Sequence, residues 1–236
     1  MTQETVRDIA AANPAAVRVF EKYGIDYCCG GHRPLAEVCT ERGIAADTVL
    51  AEVEAGSRGQ APDRDWMTAR LTELIGHIVS RHHRYLNTEL PALEVRLAKV
   101  VEVHGAKHPE VLGPLHSVFA SLKDELEAHL QKEEMVLFPA IEELEAASTA
   151  GRRPHLPPFG TVRNPIRMME HEHDGAGQAL RTMRDLTGGY QPPADACTTY
   201  PALYTGLEEL EKDLHTHIHL ENNILFPRAV ALESRA

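Results

Sequence analysis

Two segments of the chain repeat one pattern of metal-binding side chains. Residues 129–139 and 217–227 both read His-x3-Glu-x3-Leu-Phe-Pro. A His and a Glu four residues apart are neighbours on one face of an α-helix. The pairs His129/Glu133 and His217/Glu221 are therefore candidate ligands that two equivalent helices direct into the same core.

The apolar residues on either side place both pairs in that core. Leu122 and Leu126 precede His129 at helical spacing, and Leu137 follows Glu133 in the same stripe. Leu210 and Leu214 precede the second pair in the same way. A carboxylate inside a helix core is unfavourable unless it is paired or binds a metal. The repeat therefore predicts a metal centre.

Two further histidines interrupt apolar stripes in the other long segments. His83 lies between Val79 and Leu86, and His173 lies four residues after Met169. Four imidazoles and two carboxylates suit two transition-metal ions, with two histidines on each ion and both glutamates bridging. We also expect an oxo, hydroxo or water bridge between the two ions. The set contains no thiolate, which favours iron or manganese over structural zinc.

Histidines close to these positions have a less specific interpretation. His82, His171, His215 and His219 each lie one or two residues from a predicted ligand. The repeat places Glu127 and Gln131 where His215 and His219 would align, so these histidines are expected at the surface or beside the ligands. The same expectation covers His32, His77, His104, His108, His116 and His155.

Two adjacent cysteines form a separate candidate site. Residues 26–31 read Asp-Tyr-Cys-Cys-Gly-Gly, a glycine turn after a short predicted helix. Cys28 and Cys29 do not form an unstrained disulfide with each other. They are candidates for redox chemistry, metal capture or thiol exchange with a partner. The alternative is that both are small apolar residues packed near a turn. Cys39 and Cys197 are expected to be ordinary packed cysteines.

The elements that position these residues are helices. Long segments around 71–97, 118–144, 162–183 and 203–230 have helical periodicity and predict an antiparallel four-helix bundle. Asn13-Pro14 and Gly24 predict the start and end of a short helix upstream. The predicted fold is all-α, with a small helical domain over 1–57, a linker over 58–67 and the bundle over 68–236.

Composition excludes several classes of function. The chain has 236 residues and a formal net charge of −11, which argues against binding nucleic acid or an anionic membrane surface. No apolar stretch approaches the roughly 20 residues of a membrane helix. The first eight residues contain no signal core, and the four cysteines suggest no disulfide framework. We therefore expect a cytoplasmic location.

Together these motifs resemble the iron–sulfur cluster repair di-iron proteins, the repair-of-iron-centres family. That family joins an N-terminal domain carrying Tyr-Cys-Cys-Gly-Gly to a haemerythrin-like four-helix domain, and the similarity covers nearly the whole chain, including Cys197-Thr198-Thr199. The resemblance implies two non-haem iron ions, bridged by two carboxylates. Its ligands would be His83, His129, Glu133, His173, His217 and Glu221, and Cys28 and Cys29 would carry the thiol function.

The resemblance implies repair of iron–sulfur clusters damaged by nitric oxide or oxidants, with damaged iron–sulfur proteins as clients. Donation of labile iron is the favoured mechanism. Reduction or scavenging of nitric oxide is the main alternative, followed by oxygen binding or sensing. Whether the chain is an enzyme is left open by these alternatives. A homodimer through the N-terminal domain is a further expectation.

Overall fold

The computed structural model describes residues 4–57, 64–155 and 158–235. These residues are helical apart from turns, loops and an isolated bridge between Thr5 and Pro34. The all-α prediction, a bundle preceded by a small helical domain, is confirmed. A search of the described helices finds none with the length and apolarity needed to span a membrane.

Short helices form the N-terminal part: α1 Val6–Ala12, α2 Pro14–Tyr23, α3 Leu35–Glu41 and α4 Ala46–Ser57. As predicted, the Asn13 side chain caps α2 by accepting from the Ala15 amide, and Gly24 ends it with a φ of 63°. Gly56 and Ser57 lie within α4. Residues 58–63 of the predicted linker lie outside the described residues, and the predicted domain boundaries stay predictions.

Four long helical segments follow, three of them interrupted by a π-helical turn. The first consists of α5 Leu71–Ile78, a π turn Val79–His83 and α6 Arg84–His104. The second consists of α7 Pro109–Lys132, a π turn Glu133–Leu137 and α8 Phe138–Thr149. The third is α9 Arg163–Leu186. The fourth consists of α10 Thr199–His219, a π turn Leu220–Leu225 and α11 Phe226–Glu233.

The chain folds into two compact units. The first contains residues 1–76, 140–164 and 215–236 as far as they are described. Its apolar cluster joins the N-terminal helices to α10, since Phe20, Tyr27 and Leu35 pack in one group with Ile218. The second unit contains 77–139 and 165–214, and its core is built from leucines such as Leu90, Leu122 and Leu207 with aromatic residues.

Carboxylate caps in the first unit follow the internal repeat. Glu145 accepts hydrogen bonds from the amides of Leu71 and Thr72, at 2.7 and 3.0 Å, where α5 begins. Glu233 accepts from the Val162 amide at 2.9 Å, where α9 begins. These glutamates stand sixteen residues after His129 and His217, respectively. The repeat therefore extends beyond the ligand motif to the groups that close the bundle end.

Candidate metal centre

The π turns lie at the predicted ligands. His83 ends the first π turn, Glu133 begins the second, and Glu221 is the second residue of the third. A π turn adds a residue to the helical turn and shifts the direction of the side chains around it, and such turns are frequent at functional sites. The regular helical periodicity assumed from the sequence does not reveal them.

The six predicted ligands are all buried. Their exposed fractions range from 0% for Glu133 and Glu221 to 3% for His129. Two carboxylates with no exposure need strong compensating interactions, because desolvation of an ionised carboxylate is unfavourable by several kcal/mol even after relaxation. A metal ion bound by these carboxylates and the surrounding imidazoles would supply that compensation.

Four of these side chains come together within the second unit. Glu133 Oε2 lies 3.4 Å from His83 Nε2 and 3.4 Å from His129 Nε2. His173 Nε2 lies 3.1 Å from His129 Nε2. Two imidazole nitrogens bound to one ion at right angles, each about 2.1 Å from it, are about 3.0 Å apart. The His129–His173 separation therefore suits two ligands of one metal.

The remaining pair repeats the arrangement where α10 continues into the third π turn. His217 Nε2 lies 3.0 Å from Glu221 Oε1. Two groups of four side chains have ligand atoms within 4.8 Å of one another: His83, Glu133, His217 and Glu221, and His129, Glu133, His173 and Glu221. Each group contains two histidines and both glutamates.

Carboxylates behind two of the histidines orient their rings. His83 Nδ1 lies 2.7 Å from Glu134 Oε1, and His129 Nδ1 lies 2.8 Å from Glu172 Oε2. Lys132 in turn binds Glu172. A carboxylate on Nδ1 selects the tautomer that directs the Nε2 lone pair towards a metal. Glu172 stands beside His173 in the sequence, which makes it a candidate support, whereas nothing in the local pattern distinguishes Glu134.

The residues present fit the iron implied by the family resemblance. Imidazole nitrogen and carboxylate oxygen are ligands that iron accepts, and the carboxylate partners on His83 and His129 leave Nε2 for the metal. The described residues therefore contain buried His and Glu groups that are able to hold metal.

Three histidines next to the predicted ligands differ in burial. His82 is buried and its Nδ1 lies 3.0 Å from Asp213. His171 is exposed. His219 is buried, which lowers its pKa to about 4 and keeps the ring neutral near pH 7. None of these histidines belongs to either group of candidate ligands found among the described residues.

The Asp26 carboxylate organises the cysteine motif. Its Oδ1 accepts from the amides of Cys28 and Cys29 at 3.1 and 3.0 Å. Gly31 is required for the turn, because a Cβ there would lie 2.6 Å from the Tyr27 carbonyl oxygen. The two sulfur atoms are 3.6 Å apart, well beyond the roughly 2.05 Å of a disulfide bond.

The two cysteines of the motif differ in environment. Cys28 is buried and Cys29 is partly exposed. The hydrogen bond with Cys29, burial and the nearby Asp26 carboxylate raise the pKa of Cys28 well above its usual value. Cys28 is therefore protonated at neutral pH, and neither cysteine belongs to the two candidate ligand groups.

The cysteine motif packs on the part of α10 that carries His217. The Tyr27 ring lies 5.5 Å from the His219 ring, centroid to centroid. The Asn223 side chain donates a hydrogen bond to the Tyr27 carbonyl oxygen at 2.8 Å and also contacts His219 Nδ1 at 2.8 Å. The second repeat therefore holds the cysteine motif through residues that are not ligands.

Two family models match separate parts of the chain. Residues 74–229 match the family described as hemerythrin HHE cation binding domain. Residues 2–56 match a family described as a domain of unknown function, DUF542.

Several curated relatives are similar over almost the whole chain. The protein from Escherichia coli O81 (strain ED1a), named iron-sulfur cluster repair protein YtfE, is 40% identical over 226 residues, 96% of each chain. Proteins of the same name from Escherichia coli O1:K1 and Escherichia fergusonii are 39% identical over the same share of each chain.

Proposed function

Because this chain belongs to the hemerythrin HHE cation binding domain family, we propose that it is a non-haem di-iron protein that repairs damaged iron–sulfur clusters by donating iron. The observation that carries this proposal is the pair of buried ligand groups, each with two histidines and two shared glutamates. Relatives at about 40% identity over 96% of the chain bear the name of this activity.

In the proposed site two histidines would hold each iron ion. His83 and His217 would hold one ion, and His129 and His173 the other. Glu133 and Glu221 belong to both groups, which supports a bridging role for both carboxylates. Bound there, the iron would supply a pool of exchangeable metal, because carboxylate and imidazole ligands hold iron less strongly than thiolates do.

The protein's own residues prepare the site for loading and release. Glu134 and Glu172 hold the rings of His83 and His129 in the orientation that presents Nε2. The partly exposed Lys132 binds Glu172, so the support of His129 reaches the surface. Such outer interactions tune metal affinity without contributing a ligand.

The cysteine motif is the proposed transfer element. Tyr27, next to Cys28, contacts His219 two residues beyond the predicted ligand His217. Cys29 is the more exposed thiol of the pair, and Cys28 lies 3.6 Å behind it. Together these positions support a role for the two thiols in receiving iron or passing it to a client.

Transfer of labelled iron tests the proposal. The full chain, loaded with 57Fe, is mixed with a [4Fe–4S] dehydratase whose cluster was degraded by nitric oxide. We expect 57Fe in the rebuilt cluster and recovery of the client's activity. The double variant C28S/C29S should keep its iron and lose transfer, whereas C39S, a matched change of a buried cysteine in the same region, should transfer normally.

Two results would contradict parts of this proposal. Recovery of the client without 57Fe in its cluster would exclude iron donation. Normal transfer by C28S/C29S would remove the cysteine pair from the pathway while leaving the iron site in place.

Nitric oxide or oxygen as a small ligand is the second candidate. Each group offers four protein ligand atoms, fewer than the six of an octahedral ion, which supports open positions for a diatomic molecule. Nitrous oxide formed by the reduced iron protein, above a metal-free control, would favour nitric oxide reduction. A stable, reversible oxygen adduct would favour oxygen binding. The cytoplasmic location and the homodimer stay predictions.

A further inference from the structure

An open cavity lies within the unit that contains residues 1–76, 140–164 and 215–236. Its volume is about 430 Å³, within the roughly 300–1,000 Å³ of small-molecule sites. The start of α5, the end of α8 and the end of α11 contribute its walls. Apolar and polar side chains face it, among them Leu71, Glu145, Ser148, Arg228, Leu232 and Arg235. None of these residues belongs to the two candidate ligand groups.

The Arg228 guanidinium has donors that the protein does not use. Its Nη1 donates to the Trp66 carbonyl oxygen at 2.6 Å, and its Nη2 donates to the Ala69 carbonyl oxygen. A guanidinium has five N–H donors, so three remain after these two bonds. Arg228 is partly buried and forms no ion pair with a carboxylate of the described residues. Burial lowers the pKa of Arg228, which means that its charge is partly desolvated without a bound counter-charge.

The two carboxylates that act on Arg228 through space are bound by other groups. Glu145 caps the start of α5 and lies 3.6 Å from Arg70 Nε. Asp65 accepts a hydrogen bond from the Thr68 hydroxyl at 2.7 Å. The negative charge of Glu145 is therefore offset by the helix start and by Arg70, and the cavity keeps the positive charge of Arg228.

Arg235 brings a second guanidinium to the same cavity. Its side chain is exposed, and no described residue forms a hydrogen bond or an ion pair with that side chain. The Ser148 hydroxyl is a further polar group of the wall, and Leu71 and Leu232 give the wall an apolar part. This positive cavity stands out in a chain whose formal net charge is −11.

The internal repeat shows that the bundle end does not require these arginines. Arg228 and Arg235 of the second copy correspond to Ala140 and Ala147 of the first. Each copy nevertheless has its capping glutamate. Two donors of Arg228 hold residues 66–69, whereas Arg235 has no such structural bond. Helix capping therefore does not explain why two arginines face one cavity.

We propose that this cavity binds a small organic anion, with its carboxylate or phosphate group between Arg228 and Arg235 and its apolar part against Leu71 and Leu232. A planar guanidinium matches two oxygens of such a group with parallel N–H···O bonds. At the roughly 30 Å³ that a water molecule occupies, the cavity has the volume of about 14 waters. That volume exceeds what an inorganic oxyanion alone fills, which favours an organic ligand.

Binding is measured on the full iron-loaded chain with two probes, succinate and glycerol 3-phosphate, at a constant ionic strength set by potassium chloride. Trp66 is the one tryptophan in the sequence, and its carbonyl oxygen accepts from Arg228, so its fluorescence reports on this cavity. Calorimetry gives the affinity independently. We expect saturable binding of at least one probe with a Kd below about 1 mM. The preferred probe identifies the anionic group as carboxylate or phosphate.

Replacement of the exposed arginine tests the site without disturbing the fold. R235Q should weaken binding about 10-fold, because a hydrogen bond to a charged group is lost. R228K keeps the charge and loses the planar fork, so it should also weaken binding. R18Q changes an exposed arginine on α2 that does not line the cavity, and it should bind as wild type does. If R228K does not fold, R235Q against R18Q still decides.

Three results would overturn the proposal. Absence of saturable binding below about 1 mM for both probes would exclude a small-anion site. Equal affinities of R235Q and wild type would remove Arg235 from the site. Binding that survives both R235Q and R228K would place the anion elsewhere in the protein, including at the iron. None of these results bears on iron donation, which the 57Fe transfer experiment tests separately.

Discussion

The two copies of the His-x3-Glu-x3-Leu-Phe-Pro motif have the same candidate ligands and different surroundings. In the first copy His129 is held by Glu172, and the motif continues into an exposed turn where Met135 is 77% exposed. In the second copy the equivalent position is Asn223, which binds Tyr27 and His219. Both copies contain a π turn and a buried glutamate.

The repeated sequence therefore contains two kinds of position, those that are identical in both copies and those that differ. The identical positions provide the candidate metal ligands, and a later glutamate in each copy caps the start of another helix. The positions that differ determine what covers the outside of the motif. A polar residue at 223 holds the cysteine motif, whereas an apolar residue at 135 is left exposed to solvent. The second copy therefore connects the candidate metal centre with the N-terminal cysteines.

Replacement of the shared glutamates should have the largest effect on the metal content of the protein. E133Q and E221Q each replace a carboxylate that belongs to both ligand groups. We expect bound iron to fall from about two ions per chain to less than one in either variant, measured by metal analysis of the purified protein. Full retention of iron by the E133Q/E221Q double variant would contradict the proposed centre.

Loss of Glu172 should lower the metal affinity of the site that contains His129 of the first copy. E172Q removes the charge that holds His129 Nδ1, and supporting residues of this kind contribute about 10–100-fold in metal affinity. Competition with a chelator measures the effect. E170Q, an exposed change on the same helix, is the matched control. Equal affinities of the two variants would show that Glu172 does not support the ligand.

The two helix-capping glutamates should contribute similarly to stability. E145Q weakens the cap at Leu71 and Thr72, and E233Q weakens the cap at Val162. Each should lower the free energy of unfolding by about 1 kcal/mol in denaturant titrations. E125Q, on an exposed face of α7, should change it by less than about 0.5 kcal/mol. A loss in only one capping variant would show that the copies are not equivalent at their ends.

The smallest expected effect concerns the residue on the outer side of each motif copy, which differs between the two copies. N223A removes the hydrogen bond to the Tyr27 carbonyl, so the cysteine motif should be less stable locally by about 1 kcal/mol. Amide hydrogen exchange around Cys28 should rise about 5-fold. M135A, at the equivalent position of the first copy, should leave this exchange unchanged. Equal exchange in N223A and wild type would exclude Asn223 as a support.

The fold followed from patterns that act locally. Long apolar stripes at helical spacing predicted the bundle, and Asn13, Pro14 and Gly24 marked the limits of α2 correctly. The six candidate ligand positions followed from polar residues inside those stripes. They are buried as predicted, because a helical stripe faces the core along its whole length. A polar residue inside an apolar helical stripe can be recognised from the sequence alone, and it indicates a buried polar group.

Features that depend on contacts between segments far apart in the chain could not be predicted from the sequence. The π turns change the direction of side chains without any composition signal. Glu134 has the sequence surroundings of a surface glutamate, yet its carboxylate lies on His83.

The sequence by itself determined the helical bundle, its repeat and the chemical identity of the candidate ligands, because periodicity and residue type act within one helix. The tertiary structure decided which carboxylate supports which histidine, which motif copy holds the cysteine turn and which thiol of that turn is buried. Those properties depend on desolvation and on hydrogen bonds between side chains far apart in the chain. Only packing brings such groups within bonding distance.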